Sequence, residues 1–148
     1  MATNPLVPQG TLNRVRCSIV VPSFTNLNIT SAYMGKSMAT ITFDEAAWVD
    51  QIQTATGVVT SPEPYVMATI NVGILRTQSL AQSWITQATN TGVIGDVIIH
   101  SDTASFSAIS LADVVIKSFD PGSYDGIDPV SKLVLRGTFY INNNLWNL

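Results

Sequence analysis

Few side chains in this sequence could do chemistry. His100 is the one histidine of the 148 residues, and Asp102 follows two positions later on the same strand face. A carboxylate behind an imidazole can orient a general base, and Ser101, Ser105 and Ser107 stand close enough to be its nucleophile. The local pattern argues for a plainer role. No G-x-S-x-G elbow is present, and serines after a strand-end histidine are what a turn uses. Asp120, Asp125 and Asp128 fall in one loop, where oxygen ligands could gather around Ca²⁺. The EF-hand order is missing, however, no glutamate closes the set, and Asp-Pro-Gly and Asp-Gly are turn sequences in their own right. The other acidic pair is Asp44–Glu45. Cys17 is the one cysteine, so it has no internal disulfide partner, and it reads as a small apolar residue in a strand. Neither G-x-G-x-x-G nor a P-loop occurs. The expectation is a protein that is not an enzyme and uses no cofactor or metal.

The composition points the same way. Only 11% of the residues are charged against 46% hydrophobic, and Ser, Thr and Asn supply much of the polarity. A monomeric domain stays dispersed by its charged surface. A subunit covered by copies of itself has no such need, so the sequence predicts self-assembly. The net charge is −3 and the isoelectric point near 4.7. Arg14, Arg16, Lys36, Arg76, Lys117, Lys132 and Arg136 are scattered and form no phosphate-gripping stripe. The length fits one domain, residues 1–148, with a real core. The start lacks the pattern of a signal peptide, and no apolar run approaches ~18 residues, so a soluble protein is expected.

These residues are carried mainly on strands. Residues 1–13 hold prolines and a glycine without periodicity and read as an extended arm. Strands are expected at 16–21, 26–30 and 38–43. In the last of these, Met38, Thr40 and Thr42 share one face, and Ala39, Ile41 and Phe43 the other. Residues 48–75 read as one long hairpin, its strands joined by a polar, proline-bounded tip at 54–64. A helix follows at 79–90. Thr77 or Ser79 can cap it, Ser79 and Gln82 fit a capping box, and Leu80, Ala81, Trp84, Ile85 and Ala88 form its apolar stripe. Strands at 96–100, 105–109, 112–119 and 132–141 complete the chain. The fold class is mainly β: an antiparallel β-barrel or sandwich with one packed α-helix and a long β-hairpin.

That order resembles the tail tube proteins of contractile-tailed bacteriophages: an N-terminal arm, a long hairpin at 48–75, a helix at 79–90, and a four-strand C-terminal half ending near Gly137-Thr138-Phe139-Tyr140-Ile141-Asn142. The resemblance covers most of the chain in element order and texture and rests on no diagnostic motif. It implies a virion structural protein of the phage tail, made in the host cytoplasm. Its subunits would form hexameric rings stacked into a tube. The implied partners are further copies of the chain, a sheath and a baseplate, with DNA passing through the lumen unbound. The hairpin and the termini would carry the interface and the channel wall. Along the second hairpin strand, Val66, Ala68, Ile70 and Val72 are uniformly apolar and are assigned to the packed side. Tyr65, Met67, Thr69 and Asn71 are then assigned to the lumen. On the first strand either Asp50 or Gln51 and Gln53 face the channel, since a one-residue slip exchanges the faces. Trp48, Leu6, Val7, Leu145 and Trp146 are the expected subunit contacts. The ending Asn142-Asn143-Asn144-Leu145-Trp146-Asn147-Leu148 matches no pattern of that family. It keeps a tail completion or baseplate role open, beside a capsid decoration protein or a small enzyme or ligand-binding barrel.

Overall fold

A computed structural model describes residues 6–44 and 47–146. The first five residues of the expected arm, Glu45, Asn147, Leu148 and the side chain of Met38 lie outside that description. The strands are β1 (Ser18–Val20), β2 (Met34–Phe43), β3 (Val49–Gln53), β4 (Val58–Pro62), β5 (Tyr65–Leu75), β6 (Val93–His100), β7 (Ile109–Asp120) and β8 (Val130–Tyr140), and the helix is α1 (Ser79–Asn90). Six of the strands form one antiparallel sheet in the order β1-β6-β7-β8-β5-β2, and β3 with β4 forms a separate two-stranded ribbon. The large sheet curls into a half-barrel with the helix packed beside it. The fold is therefore mainly β with one helix, as the sequence indicates.

Burial follows the period of two that a strand imposes. Val66, Ala68, Ile70, Val72 and Ile74 of β5 are all buried, and the residues between them are not. Leu133 and Leu135 of β8, Leu111 and Val114 of β7, and Val97 and Ile99 of β6 join the same core. Leu80, Ala81 and Trp84 of α1 pack into that core beside Leu27. The half-buried Ala39, Ile41 and Phe43 of β2 also pack against it, on the face opposite the exposed Thr40 and Thr42.

The strands depart from expectation at three places. The strand beginning near Trp48 does not pair with residues 65–75. Instead β3 pairs with β4, Val49 opposite Pro62 through Gln53 opposite Val58. β5 lies between β8 and β2, with Ile70 opposite both Leu135 and Ile41. The long hairpin is thus β2–β5, and the ribbon is an extension inserted at its tip. The aliphatic alternation of β5 wins because it buries a complete face between two neighbours, which β3 cannot offer. Residues 26–30 form a 3-10 turn, Thr25–Leu27, followed by a single bridge between Ile19 and Ile29. Residues 105–108 are turn and loop before β7.

Helix α1 has the expected bounds but not the expected cap. Gln78 is the capping residue, and its side chain makes no capping hydrogen bond. After the turn at 76–78 Ser79 is already helical, where Ser83 Oγ donates to its carbonyl at 3.3 Å. The indole N–H of Trp84 is buried and has no partner among the described residues.

Small residues let the sheet close. Gly137 of β8 sits opposite Ala68 of β5. A Cβ at Gly137 would lie 2.6 Å from Val114 Cγ2 and 3.2 Å from Leu111 Cβ. The register of β7 shifts between Ala112 and Val115, with Asp113 at φ 52°, a bulge that presses Leu111 and Val114 inward. Gly137→Ala is expected to cost about 1–3 kcal/mol by overpacking, read as a lower urea midpoint at unchanged slope. Wild-type stability in that variant would show that β7 is not held so closely.

Candidate assembly surfaces

The outward face of the sheet is built by the alternate residues of the buried ones. On β5 these are Tyr65, Met67, Thr69 and Asn71, opposite Tyr140, Thr138, Arg136 and Val134 of β8. Thr40 and Thr42 of β2 continue the face on the other side. It is polar but weakly charged. Arg136 Nη2 lies 2.6 Å from Asp44 Oδ2, and Thr69 Oγ1 donates to Asp44 Oδ1 at 3.4 Å. Lys132 of β8 stands opposite Asp120 of β7, and Lys36 of β2 and Lys117 of β7 are exposed on strands of the same sheet. Arg136 is ion-paired and Lys132 faces an aspartate, so these two cations do not stand alone on the wall. The neighbouring β2 is the outermost strand, and its far edge has no partner among the described residues. An open strand edge of this length is a template for another chain.

The ribbon is exposed on both sides. One face carries Val49, Gln51 and Gln53 with Val58, Thr60 and Pro62, and the other carries Asp50 and Ile52 with Val59 and Ser61. Val49, Ile52, Val58 and Val59 are each 46–58% exposed. A two-stranded ribbon is marginal in water by itself, and four branched aliphatic residues in solvent add to that cost.

Its base, by contrast, is firmly held. Phe43, Trp48 and Phe139 form an aromatic trio with centroids 5.4 Å apart for Phe43–Trp48, 5.1 Å for Phe43–Phe139 and 6.1 Å for Trp48–Phe139. Asn142 Nδ2 donates to Glu63 O at 2.9 Å and to Trp48 O at 3.3 Å, clasping both ends of the ribbon. Asn142 is left-handed at φ 55°, a conformation asparagine tolerates better than most residues. Nothing in the sequence marks this clasp beyond an asparagine at the end of a strand.

The C-terminal pair follows the clasp three residues after Asn142, which holds the Trp48 carbonyl. Leu145 and Trp146 are half-exposed, and Trp146 Nε1 donates to Ile141 O at 3.4 Å just below the clasp. Leu6 and Val7 are exposed on the arm, which returns to the sheet where Asn13 N–H bonds Asp102 O at 2.9 Å.

The two candidate chemical clusters are put to structural use. Ser101 Oγ donates to Asp102 Oδ1 at 3.3 Å. Among the described residues no hydrogen bond joins His100 to Asp102 or to a serine hydroxyl. Burial, and then the Asp102 charge, raise the Cys17 thiol above its ordinary value, so it is no activated thiolate. In the loop after β7, each aspartate bonds the loop's own amides: Asp120 takes Gly122 N–H, Asp125 takes Ile127 and Asp128 N–H, and Asp128 takes Val130 N–H. Those amides hold the Asp125 carboxyl below the usual carboxylate range, with a smaller contribution from Arg76.

Neither a protein-family model nor a curated protein sequence matches the chain. Solved structures do match it in shape. A chain of the anti-feeding prophage cap, the tube-terminating cap, aligns over 93% of this chain and 96% of its own, with a TM-score of 0.51 and 14% identity. A chain from the virion of a native gene transfer agent particle aligns over 86% and 95%, with a TM-score of 0.54 and 10% identity. At such identities the likeness is one of fold.

Replacing Asn142 by Ala should cost about 1–3 kcal/mol, from two lost hydrogen bonds and the left-handed backbone. The loss should appear locally, as faster amide exchange over 49–62 with β5 unchanged. Asn142→Gly, which relieves the backbone but not the bonds, should reproduce the faster exchange. If both variants exchange like the wild type, the clasp does not hold the ribbon.

Proposed function

We propose that this protein is a structural subunit of a phage-tail-type virion, and within that class a tube subunit. Hexameric rings would stack around a channel through which DNA passes. The observation that carries this reading is the pairing of an open β2 edge with a ribbon exposed on both sides. Both are unstable features in a monomer and both are complete in a ring, where the β2–β5 hairpin of one copy extends the sheet of the next. The shared shape with a tube-terminating cap and a gene transfer agent virion chain supports the same class. The role is mechanical, and the site of action is the virion. The sheath and baseplate would be its further partners.

In this reading the outward sheet face lines the lumen, with Thr69, Asn71, Thr40 and Thr42 at its middle. A wall that lets DNA slide must not collect phosphates, because each basic contact releases counterions and adds affinity. The Arg136–Asp44 pair and the position of Lys132 opposite Asp120 serve that need at these two cations. The aliphatic ribbon and the half-exposed Trp48, Leu145 and Trp146 would then form contacts between subunits.

The cap neighbour favours a second reading, in which the protein closes a tube end as a single ring. Negative-stain imaging and native mass measurement of the purified protein separate the two. Extendable tubes support the tube subunit, and single rings that do not grow support the terminator. A monodisperse monomer at high concentration contradicts both. The lumen assignment is tested by Asn71→Lys, which should leave rings intact and make them bind duplex DNA in a salt-sensitive way. Rings of that variant that still ignore DNA at low salt would place the face elsewhere.

A further inference from the structure

The two ends of the half-barrel carry surfaces of opposite shape. At one end, the start of β8, the close of β7 and the close of β5 meet, and loop 121–129 spans from β7 to β8. This loop is stiff. Its aspartates bond its own amides. The Arg76 guanidinium donates to Pro121 O at 2.6 Å and to Asp128 O, and it lies 5.1 Å from the Tyr124 ring centroid. A Cβ at Gly122, where φ is +82°, would meet Val130 O at 2.9 Å. From this rigid frame Tyr124 and Ile127 project, 81% and 84% exposed. Large apolar side chains held ready in water lose little entropy on binding.

At the other end lies a cleft of about 330 Å³ between the close of β6, the start of β7 and the inner side of β2. Ala39, Ile41, Ile99, Phe106 and Ile109 give it an apolar wall. Its volume is at the small end of binding pockets, which run from roughly 300 Å³. The charges are complementary as well. The loop and its strand ends are acidic on balance, with Asp120, Asp125 and Asp128 against Arg76 and Lys132. The cleft rim is basic on balance, with Arg14 and the neighbouring Arg16 against Asp102.

We propose that loop 121–129 of one copy inserts Tyr124 and Ile127 into this cleft on the next copy, end to end. Each chain then supplies both halves of a head-to-tail contact, and such contacts propagate rather than close on a pair. The proposal deepens the tube reading and rests on it for a second copy stacked on the first.

The chain's one cysteine, Cys17, lines the cleft and serves as a native probe. Tyr124→Cys protein, assembled and treated with a short bis-maleimide at mildly alkaline pH, should give a ladder of dimers, trimers and higher species. Peptide mapping should find residue 17 joined to residue 124. The double variant with Cys17→Ser keeps one cysteine per chain with no partner thiol across the contact, so it should stay unlinked. Ile127→Asp, which leaves the turn bonds in place, should keep the wild-type melting temperature while weakening end-to-end association ~10-fold or more. Rings that give no 17–124 link, or an Ile127→Asp protein that builds wild-type tubes, overturn this contact and leave the tube reading standing. A protein that forms no particles overturns both.

Discussion

The structure depends on β5 being a strand whose two faces have different fates and whose two edges are both paired. Val66, Ala68, Ile70, Val72 and Ile74 leave water together, which at roughly 25 cal/mol per Å² of apolar surface gives the sheet its main cohesion. β8 pairs with all eleven β5 residues, and β2 pairs along the opposite edge. Register on a half-buried strand leaves no freedom, since a slip of one residue would bury Thr69 and Asn71 and expose Ile70. The position of every outward residue, including Arg136 beside Asp44, follows from that single registration.

What β5 stabilises, β2 and the ribbon leave unfinished. β2 presents an open edge, and β3 and β4 have water on both faces. The protein nevertheless fixes the base of this extension with the Phe43–Trp48–Phe139 trio and the Asn142 clasp. A segment that only had to stay out of the way would need no such anchoring. Rigid presentation of an uncompleted surface is what a partner requires, because the ordering entropy is already spent before the partner arrives.

Much of this was legible in the residues, and the failures have a common cause. The alternation on β5 and the 3.6-residue spacing on α1 are strong periodic signals, and both the inward faces and the helix bounds follow them. The pairing of strands is a long-range property. Residues 48–53 are as strand-like beside β5 as beside β4, and only the three-dimensional competition for the β5 edge excludes them. The expected cap on α1 failed because Ser79, after the turn at 76–78, already lies inside the helix, one position past the capping residue Gln78. Asn142 and Arg76 act on carbonyls 79 and 52 residues away, and nothing local marks them. The texture of the whole chain, low in charge and rich in Thr, Ser and Asn, was legible at once and fits the largely polar outward face of β5 and β2.

The account stands on the claim that the β2 edge and the ribbon are completed by neighbouring copies. Hydrogen exchange on the same protein, assembled and dissociated, measures this directly. Amides of residues 36–43, 49–53 and 58–62 should slow ~100-fold or more on assembly, while β5 and β8 are protected in both states. Equal exchange of those segments in the two states would contradict it.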